Sequence, residues 1–411
     1  MTFFYNIGIQ VYHLAIQLAS PFYEKAKLLS KGRKDSWEKI KHLKRGNDRL
    51  VWFHAASLGE FEQGRPVIEQ LKLHEPKTKI LLTFFSPSGY EIRKNYTGAD
   101  YILYLPADSK QNAIRFIEAF QPDAAVFIKY EFWYHYLHEL YKRQIPIYLI
   151  SSIFRSEQPF FKKWGGLHRQ MLSFFTHLYV QDEPSVQLLN KIGITQVSQT
   201  GDTRFDRVKQ IADEAKQIEK VETFCQGKPT IVCGSTWPPD EDILLEYINS
   251  YTGDYKWIIA AHEIGEGHIK TILEKCQKRA VRYSQTEKDL SAYSVLIIDC
   301  IGLLSAIYRY GNIAYIGGGF GVGIHNTLEA AVYGMPVIFG PKYQKFNEAV
   351  QLIKTGGAFS IQNGMELKAL LNSLIKNPAI TKTAGQKALD YVYSQLGATD
   401  IIIKELTKHL N

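Results

Sequence analysis

The most distinctive segment of the sequence is a glycine-rich stretch, in which residues 317–323 contain five glycines. It follows an apolar run, 312–316, that predicts a strand, and it precedes a run that predicts a helix. Glycines let backbone N–H groups approach an anion closely, and a helix N-terminus adds its dipole. No Gly-Lys-Ser/Thr follows, and the spacing is not Gly-x-Gly-x-x-Gly, so neither a P-loop nor a nicotinamide site is indicated.

We therefore predict a phosphate or carboxylate cradle at this loop, with a purely structural glycine loop as the alternative. The backbone candidates are Gly318, Gly319, Gly321 and Gly323, and the side-chain candidates, placed on the first helical turn, are His325, Asn326 and Glu329.

A second candidate site follows the first predicted strand, where Trp52-Phe-His-Ala-Ala-Ser-Leu-Gly-Glu60 runs into a turn and a helix. Catalytic groups of α/β proteins lie at the carboxyl ends of strands, which favours His54, Ser57 and Glu60. A carboxylate in the first turn of a helix also complements the helix dipole. Glu60 is therefore a candidate for catalysis or for capping.

Other candidate residues stand at the predicted ends of strands. Lys129 and Glu131 leave an apolar strand as a charged pair, and they must be solvated or matched; a structural ion pair is the alternative. No His, Cys, Asp or Glu cluster has metal-ligand spacing, so no metal is expected. Further candidates at strand ends are Arg155, for which a solvated basic face is the alternative, Arg204, Ser235, Thr236 and His262.

These residues need a scaffold, and two successive series of strands alternating with helices supply it. The pattern predicts two doubly wound parallel sheets, Rossmann-like, that face a central cleft. The predicted segments are an apolar helix 1–23, a basic segment 24–49, a first domain 50–205, a linker 206–228 and a second domain 229–411 that includes the terminal helices.

The beginning of the chain predicts contact with a membrane. Residues 1–23 carry no charged side chain. Residues 24–49 hold ten basic and four acidic side chains, which is +6 of the chain's net charge of +8. Basic charge beside an apolar segment indicates anionic lipid headgroups rather than nucleic acid. We expect a helix lying in the membrane interface; a spanning helix and a helix docked on its own domain are the alternatives.

Four segments together resemble a known family, the Kdo (3-deoxy-D-manno-oct-2-ulosonic acid) transferases of lipopolysaccharide synthesis, and look most like the branch found in Bacteroidetes. They are His54-Ala-Ala-Ser-Leu-Gly-Glu60, Lys129-Tyr-Glu-Phe-Trp133, Gly234-Ser-Thr and Gly317-Gly-Gly…Gly323-Ile-His-Asn…Leu-Glu329. The resemblance runs from about residue 1 to 395. Two departures exist: Ala260-Ala-His262 replaces a Pro-Arg-His segment, and Lys129 replaces an acidic residue.

The resemblance implies a GT-B fold and an inverting glycosyltransferase that needs no metal or other cofactor. It implies CMP-Kdo as the donor substrate, a lipid A precursor as the acceptor and Glu60 as the general base. It also implies a location at the cytoplasmic face of the inner membrane. Two alternatives remain: a GT-B enzyme acting on a UDP-sugar, including an epimerase, and a membrane-tethered glycolipid-binding protein without turnover.

Overall fold

The chain forms two compact units in a computed structural model that describes residues 2–42, 46–285 and 290–410. Unit 1 comprises Met1–Arg207 and Leu396–Asn411, and unit 2 comprises Val208–Gln395. Nine residues that the predicted segments include, at positions 1, 43–45, 286–289 and 411, lie outside the described residues.

Unit 1 is built on seven parallel strands whose order is β3-β2-β1-β4-β5-β6-β7. The order changes direction between β1 and β4, which places the ends of these two strands side by side. The strands are β1 (Leu50–Ala55), β2 (Lys79–Phe84), β3 (Tyr101–Tyr104), β4 (Ala124–Ile128), β5 (Ile147–Ser152), β6 (His177–Val180) and β7 (Val197–Gln199).

Helices cover both faces of this sheet, because strand side chains point alternately to the two faces and are buried on both. Trp52 of β1 packs among Phe116 and Tyr136, whereas its neighbour Phe53 packs with Phe61 on the opposite face. The helices from the start of the chain to residue 214 are α1 (Thr2–Ala19), α2 (Glu24–Lys41), α3 (Leu58–His74), α4 (Pro87–Arg93), α5 (Lys110–Phe120), α6 (Tyr134–Lys142), α7 (Gly166–Ser173), α8 (Glu183–Lys191) and α9 (Thr203–Glu214).

Unit 2 repeats the architecture with a second sheet of seven parallel strands, ordered β10-β11-β9-β8-β12-β13-β14. The order changes direction between β8 and β12. The strands are β8 (Thr230–Thr236), β9 (Lys256–Ala261), β10 (Ala280–Arg282), β11 (Val295–Ile298), β12 (Ile313–Ile316), β13 (Val337–Phe339) and β14 (Ala358–Ser360). The helices are α10 (Glu219–Cys225), α11 (Pro238–Ser250), α12 (Glu266–Lys275), α13 (Leu304–Ile307), α14 (Leu328–Ala331), α15 (Asn347–Thr355), α16 (Gly364–Lys376) and α17 (Pro378–Ser394). The prediction of two doubly wound parallel sheets is confirmed.

The charge-free beginning of the chain is helix α1, and it is attached to unit 1 by polar contacts. The Tyr5 hydroxyl donates to Asp108 Oδ2 at 2.5 Å, and Asn6 Oδ1 lies 2.6 Å from Nε2 of His135. Its apolar side chains are instead exposed: 67% for Phe3, 79% for Phe4 and 67% for Leu18. Across the described part of the chain, no helix combines the length and hydropathy needed to cross a membrane.

The predicted linker 206–228 is not a free connection. Helix α9 passes through the boundary between the units at residues 207 and 208, and α10 is packed into unit 2 through the buried Val221 and Phe224. The amphipathic spacing of these apolar residues, hidden in a polar stretch, accounts for the packing.

The assignment of all terminal helices to the second domain is also wrong, because α18 (Ala398–Leu410) belongs to unit 1. Ile402, Ile403 and Leu406 are buried in the core cluster that α3 contributes to. Asp206 holds the start of α18, since its carboxylate accepts hydrogen bonds from the backbone N–H groups of Gly397 and Thr399 at 2.8 and 2.7 Å.

Two adjacent isoleucines of α18 test this packing. Ile402 is 1% exposed and Ile401 is 46% exposed. We expect Ile402→Ala to lower the free energy of unfolding of unit 1 by about 2–5 kcal/mol, because it leaves a cavity in a packed core. Ile401→Ala should change it by less than about 1 kcal/mol. Urea unfolding followed by circular dichroism measures both, and equal midpoints for the two variants would contradict the packing of α18.

Candidate functional site

The candidate site of unit 1 lies at the switch between β1 and β4, and Glu60 is its central carboxylate. Glu60 stands in the first turn of α3, and its Oε2 accepts the backbone N–H groups of Ala56 at 2.6 Å and Ser57 at 3.1 Å. The side chain is half-buried. Within the described residues, no hydrogen bond is made to Oε1. One oxygen is thus held by the backbone, and the other is available to a substrate proton.

The surroundings of Glu60 raise its pKa from an ordinary value to about 7. Burial is the largest cause, and the like charge of Glu131 is the next; the Ala56 N–H, Lys129 and His54 act in the opposite direction. A carboxylate with a pKa near 7 is a much stronger base than an ordinary glutamate at neutral pH, which suits general base catalysis. The capping contacts predicted as the alternative are therefore present together with the properties of a base.

A buried hydrogen-bond chain holds Glu131 beside Glu60. Trp52 Nε1 donates to Thr83 Oγ1 at 2.8 Å, and His54 Nδ1 lies 2.8 Å from the same hydroxyl oxygen. The other ring nitrogen of His54, Nε2, lies 2.8 Å from Glu131 Oε2. Trp133 Nε1 donates to the same oxygen at 2.8 Å. His54 and Trp133 thus fix the position of the Glu131 carboxylate.

The loop after β4 carries Lys129 in a left-handed conformation, with φ of 67°. Few non-glycine residues adopt this conformation, and it is concentrated at functional sites. Lys129 Nζ lies 5.7 Å from the centre of the Tyr130 ring. Its charge favours the ionised form of Glu60, so Lys129 and Glu131 oppose each other at that carboxylate.

The structure brings Glu60, His54, Ser57, Lys129 and Glu131 together, as predicted for strand ends. It gives two other candidates different roles. Arg204 pairs with the buried Asp202 at 2.8 Å at the start of α9, and the exposed Arg155 follows β5 near Tyr130.

The candidate site of unit 2 lies at the switch between β8 and β12, where the glycine-rich loop follows β12. Gly318 and Gly323 have φ of 92° and 139°, which glycine adopts at little cost. Asp240, a buried carboxylate of α11, accepts the N–H of Gly318 and the hydroxyl of Tyr315, both at 2.8 Å. Asp240 therefore anchors the loop, and sequence reasoning missed it because it stands about 80 residues away.

The predicted helical turn at the end of this loop is shorter than expected. Helix α14 begins at Leu328, so His325 and Asn326 lie in the loop, and only Glu329 of the three is helical. Asn326 Nδ2 donates to Glu329 Oε1 at 3.0 Å. Because α14 has only four residues, it offers little helix dipole to an anion. The N–H groups of Gly318, Gly321, Gly323 and His325 already donate to acceptors within unit 2.

Not all of the predicted glycines face open space. A side chain at Gly319 would meet the backbone of Gly340 at 2.6 Å, so this glycine is required for packing. At Gly321 the nearest atom would be Gly318 O at 3.5 Å. A side chain would therefore fit at Gly321, whose N–H donates to Gly318 O at 2.9 Å.

Three aromatic rings form a stack beside the loop. The ring centres of Trp237 and His262 are 4.5 Å apart, and those of His262 and His325 are 4.4 Å apart. Trp237 Nε1 donates to His325 Nε2 at 2.9 Å. Burial and the neighbouring His262 lower the pKa of His325 to about 4, so His325 is neutral at pH 7 and offers a neutral N–H donor.

Trp237 follows the predicted Gly234-Ser-Thr segment, but sequence reasoning did not select it; an aromatic ring directly after a strand end was the available signal. Of the two residues that were selected there, Thr236 is fully buried and donates to Glu241 at 3.0 Å. Ser235 is half-buried with φ of 52°, a strained conformation at a strand end. Ser235 is thus the more accessible of the two.

Metal binding was not expected, and the described residues contain no group of three His, Cys, Asp or Glu side chains placed to hold an ion. The absence of a metal in the reaction stays a prediction.

Comparisons with known proteins agree with this arrangement. Residues 32–207 match the family described as 3-deoxy-D-manno-octulosonic-acid transferase (kdotransferase). The chain is 26% identical over 375 residues to the 3-deoxy-D-manno-octulosonic acid transferase of Rickettsia felis, covering 88% of this chain and 79% of that protein. It is 28% identical over 359 residues to the enzyme of the same name from Rickettsia prowazekii, covering 84% and 76%.

The fold also matches solved structures. The UDP-GlcNAc 2-epimerase from Neisseria meningitidis superposes with a TM-score of 0.63 at 19% identity, covering 87% of this chain and 100% of that one. This likeness shows the fold, which is of the GT-B type.

The opposing charges at Glu60 lead to a titration test. In wild-type protein the Glu60 carboxyl should titrate near pH 7. Glu131→Gln removes a like charge and should lower the pKa of Glu60, whereas Lys129→Met removes an opposite charge and should raise it. Infrared difference spectra against Glu60→Gln, recorded as a function of pH, measure the carboxyl band. Shifts of the same sign in both variants would contradict the described geometry.

Proposed function

Because the chain belongs to the 3-deoxy-D-manno-octulosonic acid transferases, we propose a specific reaction for it: the transfer of Kdo from CMP-Kdo to a hydroxyl group of a lipid A precursor. The family makes the chain a glycosyltransferase of lipopolysaccharide synthesis. The donor, the acceptor and the membrane location are part of the proposal, and the resemblance to the Bacteroidetes branch stays a prediction.

Glu60 acts as the general base in this reaction. The acceptor oxygen forms a bond to the anomeric carbon of Kdo while the bond from that carbon to the phosphate oxygen of CMP breaks. The acceptor proton passes to Glu60, and CMP leaves as a phosphate monoester. A hydroxyl group has a pKa far above 7, so its attack is assisted by a base whose pKa is near 7. A single displacement of this kind inverts the anomeric configuration.

Unit 2 supplies the candidate site for CMP-Kdo. The neutral His325 and the half-buried Ser235 offer N–H and O–H donors to a phosphate or carboxylate. Fixed dipoles of this kind stabilise charge that develops on a leaving phosphate. Because the arginine of the family's Pro-Arg-His segment is absent, His262 and its stack with Trp237 remain at that position.

The membrane part of the proposal rests on α1 and α2. Helix α1 exposes Phe3, Phe4 and Leu18. Helix α2 exposes the lysines at positions 25, 27, 31 and 34. An apolar face beside basic side chains suits the interface of an anionic membrane, from which an acylated acceptor would be taken. The proposal therefore includes a location at the cytoplasmic face of the inner membrane.

The observation that carries the proposal is the half-buried Glu60, with one oxygen capped and its pKa raised, in a chain of this family. A UDP-sugar enzyme is not favoured, because the likeness to the UDP-GlcNAc 2-epimerase shows the fold alone.

Glu60→Gln is the decisive variant. Glutamine keeps an oxygen that accepts the Ala56 and Ser57 N–H groups but cannot take up a proton. We expect Kdo transfer to fall by about 10² to 10⁴. The melting temperature and the affinity for CMP should stay at wild-type values. Product mass after incubation with CMP-Kdo and a lipid A disaccharide precursor measures the transfer.

The pH dependence gives an independent check. The base must be ionised, so the wild-type rate should fall as the pH drops below about 7. A Glu60→Gln enzyme that keeps more than about a tenth of the wild-type rate removes Glu60 from the mechanism. CMP, and not UDP, should raise the melting temperature of both proteins; protection by UDP alone would favour the alternative enzyme.

Charge reversal on α2 tests the membrane contact. Replacing Lys25, Lys27, Lys31 and Lys34 by Glu should weaken binding to anionic vesicles by at least about 1 kcal/mol per residue. Co-sedimentation with vesicles at low salt measures this. The control reverses four other exposed lysines of unit 1, Lys77, Lys142, Lys163 and Lys191, and should leave binding near wild type. Equal losses for the two sets would contradict an oriented contact.

A further inference from the structure

We propose that His13 of α1 and Arg33 of α2 bind a phosphate group of the glycolipid acceptor. Arg33 is one of the basic residues predicted to face the membrane, but only 6% of it is exposed, so it cannot take part in the lysine surface of α2. The inference rests on the proposed function, since that function supplies a phosphorylated glycolipid.

The position of Arg33 is set by close packing of α2 on the sheet. A side chain at Gly32 would overlap the Tyr104 ring at 2.2 Å, so the glycine lets the helix approach β3. Ser36 Oγ accepts the N–H of Tyr104 at 3.0 Å and donates to Gly32 O at 2.8 Å. These contacts fix the turn of α2 that carries Arg33 and direct its side chain inward.

Arg33 and His13 have no anionic partner among the described residues. Nε and Nη1 of Arg33 are buried and make no hydrogen bond, and the same holds for Nδ1 of His13. Within the described ranges, no carboxylate forms an ion pair with Arg33. The pKa of His13 is lowered first by burial and then by the charge of Arg33, which shows that the two side chains are within electrostatic reach of each other.

A buried guanidinium without a partner is costly, and proteins normally pair it. Arg207 shows the usual solution in the same unit: it is 8% exposed, and it has Glu62 and Glu69 within 3.6 and 3.4 Å. Arg33 has instead the face of Phe85, 5.2 Å from its guanidinium carbon. A cation–π contact leaves its N–H donors free, and these match the oxygens of a phosphate.

Aromatic stacking connects this site with the catalytic group. Phe85 is stacked with Tyr12 of α1 at 6.0 Å and with Trp133 at 4.8 Å. Trp133 donates to Glu131, the neighbour of Glu60. A ligand on Arg33 thus lies one aromatic layer from the loop that carries Glu131 and beside the exposed apolar face of α1. This is the place for the anionic group of an amphiphile whose hydroxyl reaches Glu60.

The test compares Arg33→Met with Lys142→Met, which removes the same charge from an exposed position of unit 1 outside the lysine surface of α2. Each variant receives the lipid A disaccharide precursor with its phosphates and the same precursor after enzymatic dephosphorylation. We expect Arg33→Met to raise KM for the phosphorylated precursor about 10- to 100-fold, the effect of losing hydrogen bonds to a charged group. The value of kcat, the KM for the dephosphorylated precursor and the affinity for CMP should stay at wild-type values.

His13→Leu, on a helix without core residues, gives a second variant should Arg33→Met fold poorly; it should raise KM for the phosphorylated precursor several-fold. Titration calorimetry with the two precursors, without CMP-Kdo, separates this inference from the proposed function. A phosphate-dependent loss of binding in Arg33→Met supports the site even where no Kdo is transferred. Equal losses with both precursors, or equal losses in Lys142→Met, would overturn it. So would a matching loss of binding to phosphatidylglycerol vesicles or to inorganic phosphate, because the anion would then come from the bilayer or from free phosphate.

Discussion

Mutual repulsion between Glu60 and Glu131 is the constraint around which unit 1 is organised. The two carboxylates follow β1 and β4, which are paired in register up to His54 and Phe127, so the fold brings like charges together. Each charge is offset separately: backbone N–H groups hold Glu60, while His54 and Trp133 hold Glu131. What remains of the repulsion, together with burial, appears as the raised pKa of Glu60. The properties that suit Glu60 to the proposed role of base thus follow from the strand order.

In unit 2 a change of direction in the strand order again brings functional groups together, but there they are hydrogen-bond donors instead of carboxylates. There the switch between β8 and β12 brings together donors: loop N–H groups, Ser235 and the ring stack of Trp237. One buried carboxylate, Asp240, holds the loop by accepting the N–H of Gly318. Burial raises the pKa of Asp240, and its hydrogen bonds to Gly318, Tyr315 and Trp237 counteract the rise. The proposed anion site is therefore built on a carboxylate whose hydrogen-bonding capacity is already used by its neighbours.

The sequence allowed most of this fold to be predicted, because buried parallel strands are continuous apolar runs. The apolar runs at 124–128, 177–180 and 256–261 form β4, β6 and β9. The edge strands β10 and β14 have only three residues each, which is too few for a recognisable pattern. Glu60 was found from its position after a strand and from the family motif.

The rest depends on contacts between residues that are distant in sequence. The pairing of His54 with Glu131 spans 77 residues and requires β1 to lie beside β4, which no local pattern determines. Arg33 was interpreted as a surface charge because its neighbours in the sequence are lysines. Its burial follows from Gly32, whose role is visible only when Tyr104 is placed against it. The amphipathic pattern of α18 predicted a helix but could not say which sheet it would cover.

That last helix has a consequence for how the protein is made. Asp206 binds the start of α18 across 191 residues of sequence, and the intervening chain folds as unit 2. During synthesis on a ribosome, therefore, unit 1 cannot complete the core around α3 until all of unit 2 has been translated. Domains that fold as they emerge usually do so from the N-terminus onward. Here the helix that carries Glu60 acquires its final packing partner late, after unit 2 has already had time to fold.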